Sequence, residues 1–498
     1  MNATAAHAPQ RAMRNRRASS SNGRRPRALT NDPTQTLGFV RDPLRLLLFV
    51  LTVVTISRVH QHYPVLTKFR PALLLVLASA GYAYLHPAFL TRARIFKLWP
   101  MRLLMALALL SCCSAAFGIS LGRSASFILD SFGKTLLYGF LMALSIRHVR
   151  DLYTFVWAYV VSCGILAFFS IFVFGLRTAS NSYVARLNDL YTYDSNDLGV
   201  IMMIGLALTL LLLIVTRGGR RWLVLVNLVA ICAAIARSGS RGAFIGFAVT
   251  GVAALFVVNN VPATRRTLLL SVAVLSLAIG APPGYWKQMG TLLQPEQDYN
   301  FSSRDGRKAL FERGLGYVAQ YPIFGLGIDN FARAECTISP KIATIGNARL
   351  RCTVPHNSYV QAGTELGIPG FFVWLALVVG GIVAPLRLRR RLPRWWRRGT
   401  EVQRFLYGAT SFLPLAMLGF AVTSFFVSFA WMDPLYLLAA FLTGFYVSLQ
   451  AYLNEAGPAA GGVMQSESTG ALAPGWRVTR SARHGHIATP PFVSWGGP

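Results

Sequence analysis

His356 stands in PHNSYVQAGTELGIPGFF, residues 355–372, one residue ahead of a run that reads as a membrane helix. An imidazole at that place is either a simple partner for backbone at the helix start or a base. The positive end of the following helix and nearby arginines oppose protonation of the ring, and a neutral imidazole can take a proton from a hydroxyl. Guanidinium groups supply a second kind of chemistry: Arg177 and Arg186 in residues 176–199, Arg237 and Arg241 in ARSGSRGAFIG, residues 236–246, and then Arg304 and Arg307. Their forked donors suit phosphate oxygens, so a set gathered at one membrane face points to a bound anionic headgroup. Singly, each has an alternative partner in Asp194, Asp197, Asp305 or a lipid phosphate. Glu365 follows His356 by nine residues, which on a helix is roughly 13 Å and about half a turn of phase. The two should not touch; Glu365 either ends a helical turn before Gly367 and Pro369 or serves another wall of the site.

These residues need elements to hold them, and composition says which. Hydrophobic residues make up 54% of the 498, charged ones 13%, and the mean hydropathy is positive. Apolar runs near the length that crosses hydrocarbon recur along the chain, near 43–57, 65–86, 101–120, 125–146, 152–175, 196–215, 222–236, 242–259, 266–282, 359–386, 405–427 and 434–453. The expectation is an all-α integral membrane protein of about twelve transmembrane helices, divided as a disordered basic tail (1–42), nine helices (43–282), a large and partly helical outer loop (283–357), three helices (358–453) and a disordered tail (454–498). The net charge of +31 would suggest nucleic acid in a soluble chain, but the arginines lie in tails and short loops between apolar runs, where topology accounts for them. Loops carrying Arg92, Arg94 and Lys97, Arg147 and Arg150, Arg217, Arg220 and Arg221, Arg265 and Arg266, and the run RLRRRLPRWWRR fall on one side by alternation. The positive-inside rule makes that side cytoplasmic, together with both termini, and reads Trp395 and Trp396 as interfacial anchors. The arginines named first lie on the other face, against the rule.

The loop over 283–357 is too long to be a bare connector. SSRDGRKALFERGLGYVAQYPIFGLGIDNF, residues 302–331, offers a serine cap, an amphipathic run with Leu310, Phe311, Leu315 and Val318 at helical spacing, and a Pro and Gly turn. Cys336 and Cys352 are the two cysteines in this loop, and an oxidising compartment favours a bridge between them; two unpaired thiols are the alternative, and no second ligand pair stands at metal spacing. Cys112, Cys113, Cys163 and Cys232 fall in apolar runs as packing residues, and Asp130 and Lys134 have the spacing of an intrahelical pair.

The stretches YDSNDLG at 193–199, SGSRGAF at 238–244, SRDGRKALFERGLGYVAQYPIFGLGIDNF at 303–331 and PHNSYVQAGTELGIPG at 355–370 resemble, in order, the motifs of the O-antigen ligase and polymerase superfamily. The resemblance implies a glycosyltransferase of the GT-C type in a bacterial inner membrane, working without metal or other cofactor on a glycan carried by undecaprenyl diphosphate. It implies His356 as the base on the acceptor hydroxyl and Arg186, Arg241 and Arg304 as cations on the leaving diphosphate, with inversion in a single displacement; Asn196 and Glu365 are candidate wall residues, and Arg177 is the alternative to Arg186. A base and a few cations suffice for such a step because a diphosphate leaves well once its charge is stabilised, and the chain shows no carboxylate pair of the glycosidase kind. The acceptor divides the family. Ligation to lipid A-core is placed first and polymerisation of repeat units second, ahead of transfer to protein hydroxyls; a transporter or flippase for the same lipid-linked glycan is the reading from another class, against which stands the absence of an internal repeat.

Overall fold

A computed structural model describes residues 37–40, 42–177, 186–188, 191–257, 262–294, 301, 303, 305–342 and 351–455. The tails read as disordered lie almost wholly outside the described residues, as does Arg304.

The described chain is nearly all helix. In order come α1 (Pro43–Ser57), α2 (Pro71–Leu85), α3 (Trp99–Phe117), α4 (Leu121–Ser145), α5 (Val149–Phe172), a two-stranded antiparallel hairpin β1 (Leu176–Arg177) and β2 (Arg186–Leu187), α6 (Ser195–Val215), α7 (Gly219–Arg237), α8 (Arg241–Val257), α9 (Ala263–Gly280), α10 (Arg307–Gln320), α11 (Phe331–Thr337), α12 (Ser358–Arg389), α13 (Glu401–Phe426) and α14 (Asp433–Glu455). Among the described residues, nine helices are long and apolar enough to cross a membrane: α3 to α7, α9, α12, α13 and α14. The other apolar helices, α1, α2 and α8, have 15, 15 and 17 residues, a reach of roughly 22–26 Å against a hydrocarbon core of about 30 Å. Twelve apolar helices therefore match the expected runs one for one, and three of them fall short of the full span.

The core gathers around α6. It is apolar on every side, with 89% of its apolar window buried, as a helix without a polar face must be. Its start is set by Asp194, whose side chain accepts the N–H groups of Asn196 and Asp197 at 2.6 and 2.8 Å while Asp197 accepts the Asp194 N–H at 3.0 Å, a reciprocal cap. Small residues let α8 close on its neighbours: a Cβ on Gly246 would stand 2.4 Å from the Thr423 side chain of α13. By contrast α9 lies at the edge, with 17% of its window buried.

Several local expectations change. The buried face of α10 is Leu310, Gly314 and Tyr317, while Phe311 and Leu315 are exposed, because α10 presses Gly314 onto Val360 of α12. Its N-cap is Gly306 with no side-chain cap. Trp396 is buried against Tyr452, at 5.4 Å between rings, while Trp395 is exposed. Cys112 is exposed rather than packed. Among the ion pairs of the described residues there is none between Asp130 and Lys134; the turn Ile128–Phe132 is π-helical, which shifts the register that an i, i+4 pair requires.

Candidate active site

The His356 end of the bundle is assembled from helix starts. Asn357 caps α12, its Oδ1 accepting the N–H groups of Tyr359 at 2.9 Å and Val360 at 3.1 Å. Just before it, His356 has φ 47°, a left-handed conformation that costs a residue with a Cβ roughly 1–2 kcal/mol. The segment between α13 and α14 holds it there: the His356 N–H donates to Ser428 Oγ at 2.9 Å, Ser358 Oγ donates to the Val427 carbonyl at 2.8 Å and accepts the Phe429 N–H at 2.8 Å. The ring is half-buried. Burial, and then the charge of Arg307, lower its pKa below the ordinary imidazole value, with Asp194 pulling the other way. The result is a ring that is neutral at neutral pH and able to accept a proton.

The arginines flagged in the sequence sit on separate elements, and the charge of Arg307 acts on the ring. Arg307, the first residue of α10, donates Nη2 to the Phe426 carbonyl at 3.4 Å and sets its guanidinium 5.7 Å from the Phe426 ring. Gly242 reaches the same phenylalanine, since a Cβ there would stand 2.7 Å from it; its neighbour Arg241, opening α8, donates Nη1 to Thr291 Oγ1 at 2.9 Å. Arg186 on β2 donates Nη2 to Asn196 Oδ1 at 2.9 Å and Nε to the Ser238 carbonyl at 3.4 Å. Ser240 Oγ donates to that same Asn196 oxygen at 2.8 Å, and Asn196 Nδ2 donates to Asp194 Oδ2 at 3.3 Å. Asn196 is thus the joint between the hairpin, the head of α6 and the α7–α8 turn, and Asp194 carries the chain of contacts on to the field felt by His356. Arg177 faces Arg186 across the hairpin and is exposed.

Glu365 does not join this group. It is buried, its carboxylate accepting Trp431 Nε1 at 2.6 Å and the Phe331 N–H at 3.3 Å. Two residues on, Gly367 breaks α12 with φ 71°. The freed backbone pairs with the Pro and Gly turn: Leu326 N–H donates to the Thr364 carbonyl and Ile368 N–H to the Pro322 carbonyl, each at 2.8 Å. The ELGIPG and PIFGLGIDNF stretches are two sides of one joint, which locks the segment carrying α10 and Arg307 onto the head of α12.

Sequence reasoning passed over three features of this end. Ser428 has no signal of its own. Arg58, whose guanidinium lies 4.6 Å from the Tyr193 ring, could have been found by the same charge asymmetry that flagged Arg186. The third is the buried carboxylate of Glu335 in α11, which accepts Arg313 Nη2 at 2.8 Å, Lys341 Nζ at 2.9 Å and Tyr317 Oη at 2.9 Å. Cys336, next to it, is disulfide-bonded to Cys352, so α11 is tied to the segment leading into α12. Among the described residues no group of three or more His, Cys, Asp or Glu is placed to hold a metal ion.

A neutral imidazole within the field of a guanidinium group can take a proton from a hydroxyl next to a bound anion. No curated protein matches the chain. The family described as O-antigen ligase matches residues 226–375, from within α7 through the break in α12, which takes in Arg241, Arg307, the interlocked joint and His356. Across those residues the chain is similar to the O-antigen ligase family.

Proposed function

We propose that this protein is a membrane glycosyltransferase that moves a glycan from undecaprenyl diphosphate to an acceptor hydroxyl at the periplasmic face of a bacterial inner membrane. Ligation to lipid A-core is placed ahead of repeat-unit polymerisation. In this reading all twelve apolar helices cross, the short ones at thinned positions, with both termini cytoplasmic. The observation that carries it is the position of His356, half-buried, held by Ser428, and within the fields of Arg307 and of Asp194, which Asn196 joins to Arg186.

In the reaction the imidazole takes the acceptor's hydroxyl proton as its oxygen attacks the anomeric carbon. The bond from that carbon to the diphosphate oxygen breaks, and the charge leaving with the diphosphate falls to Arg186, Arg241 and Arg304. Attack from the face opposite the leaving group inverts the centre. Fixed cations of this kind lower the barrier because they are already oriented where charge develops.

The test is product analysis with purified protein and undecaprenyl-diphosphate-linked repeat units, with and without lipid A-core. Sugar on lipid A-core alone makes it a ligase, and chains lengthening without added acceptor make it a polymerase. His356→Ala should abolish transfer while folding and donor binding survive. Unchanged transfer in that variant would refute the base, and no transfer by the native protein to either acceptor would refute both placed reactions in favour of protein acceptors or transport.

A further inference from the structure

The opposite, arginine-rich end of the bundle holds a cavity of about 760 Å³ between α6, α7, α8, α9 and α13, within the roughly 300–1,000 Å³ range of ligand pockets. Its deep wall is apolar, running from Leu206 and Phe247 past Leu210, Gly251 and Phe412. Leu206 and Ile214 stand eight positions apart on α6, a depth of about 12 Å. Its mouth carries Arg221, Arg265, Arg266, Arg397, Arg398 and Arg404. Around the cavity α9 packs closely on its neighbours: a Cβ on Gly280 would stand 2.7 Å from Ala233 of α7, and one on Gly251 of α8 would stand 3.3 Å from Leu270.

Charge asymmetry across a membrane accounts for arginines at this end, but not for two of them turning inward. Arg266 and Arg404 are partly buried. One nitrogen of Arg266 donates to the Leu255 carbonyl and Arg404 Nη1 to the Ile214 carbonyl at 3.3 Å, so both are pinned to the ends of helices that wall the cavity. Arg266 Nε and Arg404 Nε and Nη2 are buried without a hydrogen-bond partner, and Arg404 Nη2 stands 4.0 Å from Glu401. Buried charged donors require an acceptor. The acceptor that fits has several anionic oxygens at the mouth and a long apolar tail along the wall.

We propose that this cavity binds an anionic phospholipid, its phosphate on Arg266 and Arg404 and an acyl chain against Leu206, Leu210 and Phe247. The site is separate from the His356 end, and lipid binding is read without any transfer reaction.

Native mass spectrometry of the delipidated full chain, titrated with cardiolipin, phosphatidylglycerol, phosphatidylcholine or inorganic phosphate, tests it. Cardiolipin and phosphatidylglycerol should bind at least tenfold more tightly than phosphatidylcholine. Arg266→Gln with Arg404→Gln, which keeps Arg265, Arg397 and Arg398 for topology, should erase that preference. Leu210→Trp, which fills the apolar wall and leaves every arginine, should weaken both anionic lipids about tenfold. The proposal is overturned if the double variant keeps the preference, if phosphatidylcholine binds as well as cardiolipin, or if inorganic phosphate displaces cardiolipin at equal concentration, which would make this a free phosphate site. Should the double variant not fold, an unchanged lipid affinity in Leu210→Trp overturns it alone.

Discussion

Glu335 offers the sharpest test of how the segment between α9 and α12 is held. Its carboxylate is fully buried, with Arg313 and Lys341 at 13% and 3% exposure beside it. Glu335→Gln keeps the shape and removes the charge, leaving two buried cations. Breaking a buried pair from one side costs roughly 3–5 kcal/mol. Here Lys341 retains Asp305 at 3.0 Å and the Arg351 carbonyl at 2.8 Å, and Arg313 retains Asp305 at 3.6 Å, so the lower figure applies. About 3 kcal/mol corresponds to a roughly 150-fold rise in local opening. Hydrogen exchange in detergent should show it as faster amide exchange over α10 and α11, with α6 and α13 unchanged. Glu335→Gln combined with Lys341→Met should recover part of the loss, because removing both members of a pair leaves less uncompensated charge. Exchange as slow as in the native protein, or a double variant worse than the single, would show that the carboxylate does not organise this segment.

Transfer should depend on pH through His356. Its folded pKa lies below the ordinary value, so the acid limb of kcat/KM falls below the usual imidazole range, and Arg307→Gln should move that limb upward; an unmoved limb removes Arg307 from the field at the ring. The same shift makes the native state bind fewer protons than the unfolded chain between the two pKa values. The stability contributed by neutral His356 is therefore present above the unfolded pKa and lost as pH falls through the folded one, which urea titrations at several pH values would detect. Arg186→Gln and Arg241→Gln should each lower kcat/KM for the lipid-linked donor tenfold or more, from the loss of a charged hydrogen bond of roughly 1.5–3 kcal/mol to the leaving diphosphate; an unchanged kcat/KM would remove that arginine from the leaving group. Gly367→Ala should lower the melting midpoint, since φ 71° disfavours a Cβ by about 1–2 kcal/mol and the Ile323 carbonyl would stand 2.5 Å from it.

Much of the framework was legible before any coordinates. Lipid offers the backbone no hydrogen-bond partner, so each crossing must be a long apolar helix, and such helices show in a linear reading. The twelve runs each became a helix, although length left α1, α2 and α8 short of the full span. Arg186 and Arg241 stood out because a cation against the charge asymmetry is rare. Glu365 took Trp431 and Phe331 as its partners.

Composition, spacing and charge asymmetry thus determined a helical membrane protein with a histidine at the head of a late helix and arginines against the rule. Tertiary structure decided who meets whom. Asn196 receives Arg186 and Ser240 on one oxygen, Ser428 holds the His356 backbone, and Gly367, lacking a Cβ, leaves room for the Ile323 carbonyl. Each of these contacts joins segments separated by ten to more than seventy residues. They are set by how packed helices bring their ends together, and hydropathy carries no record of that.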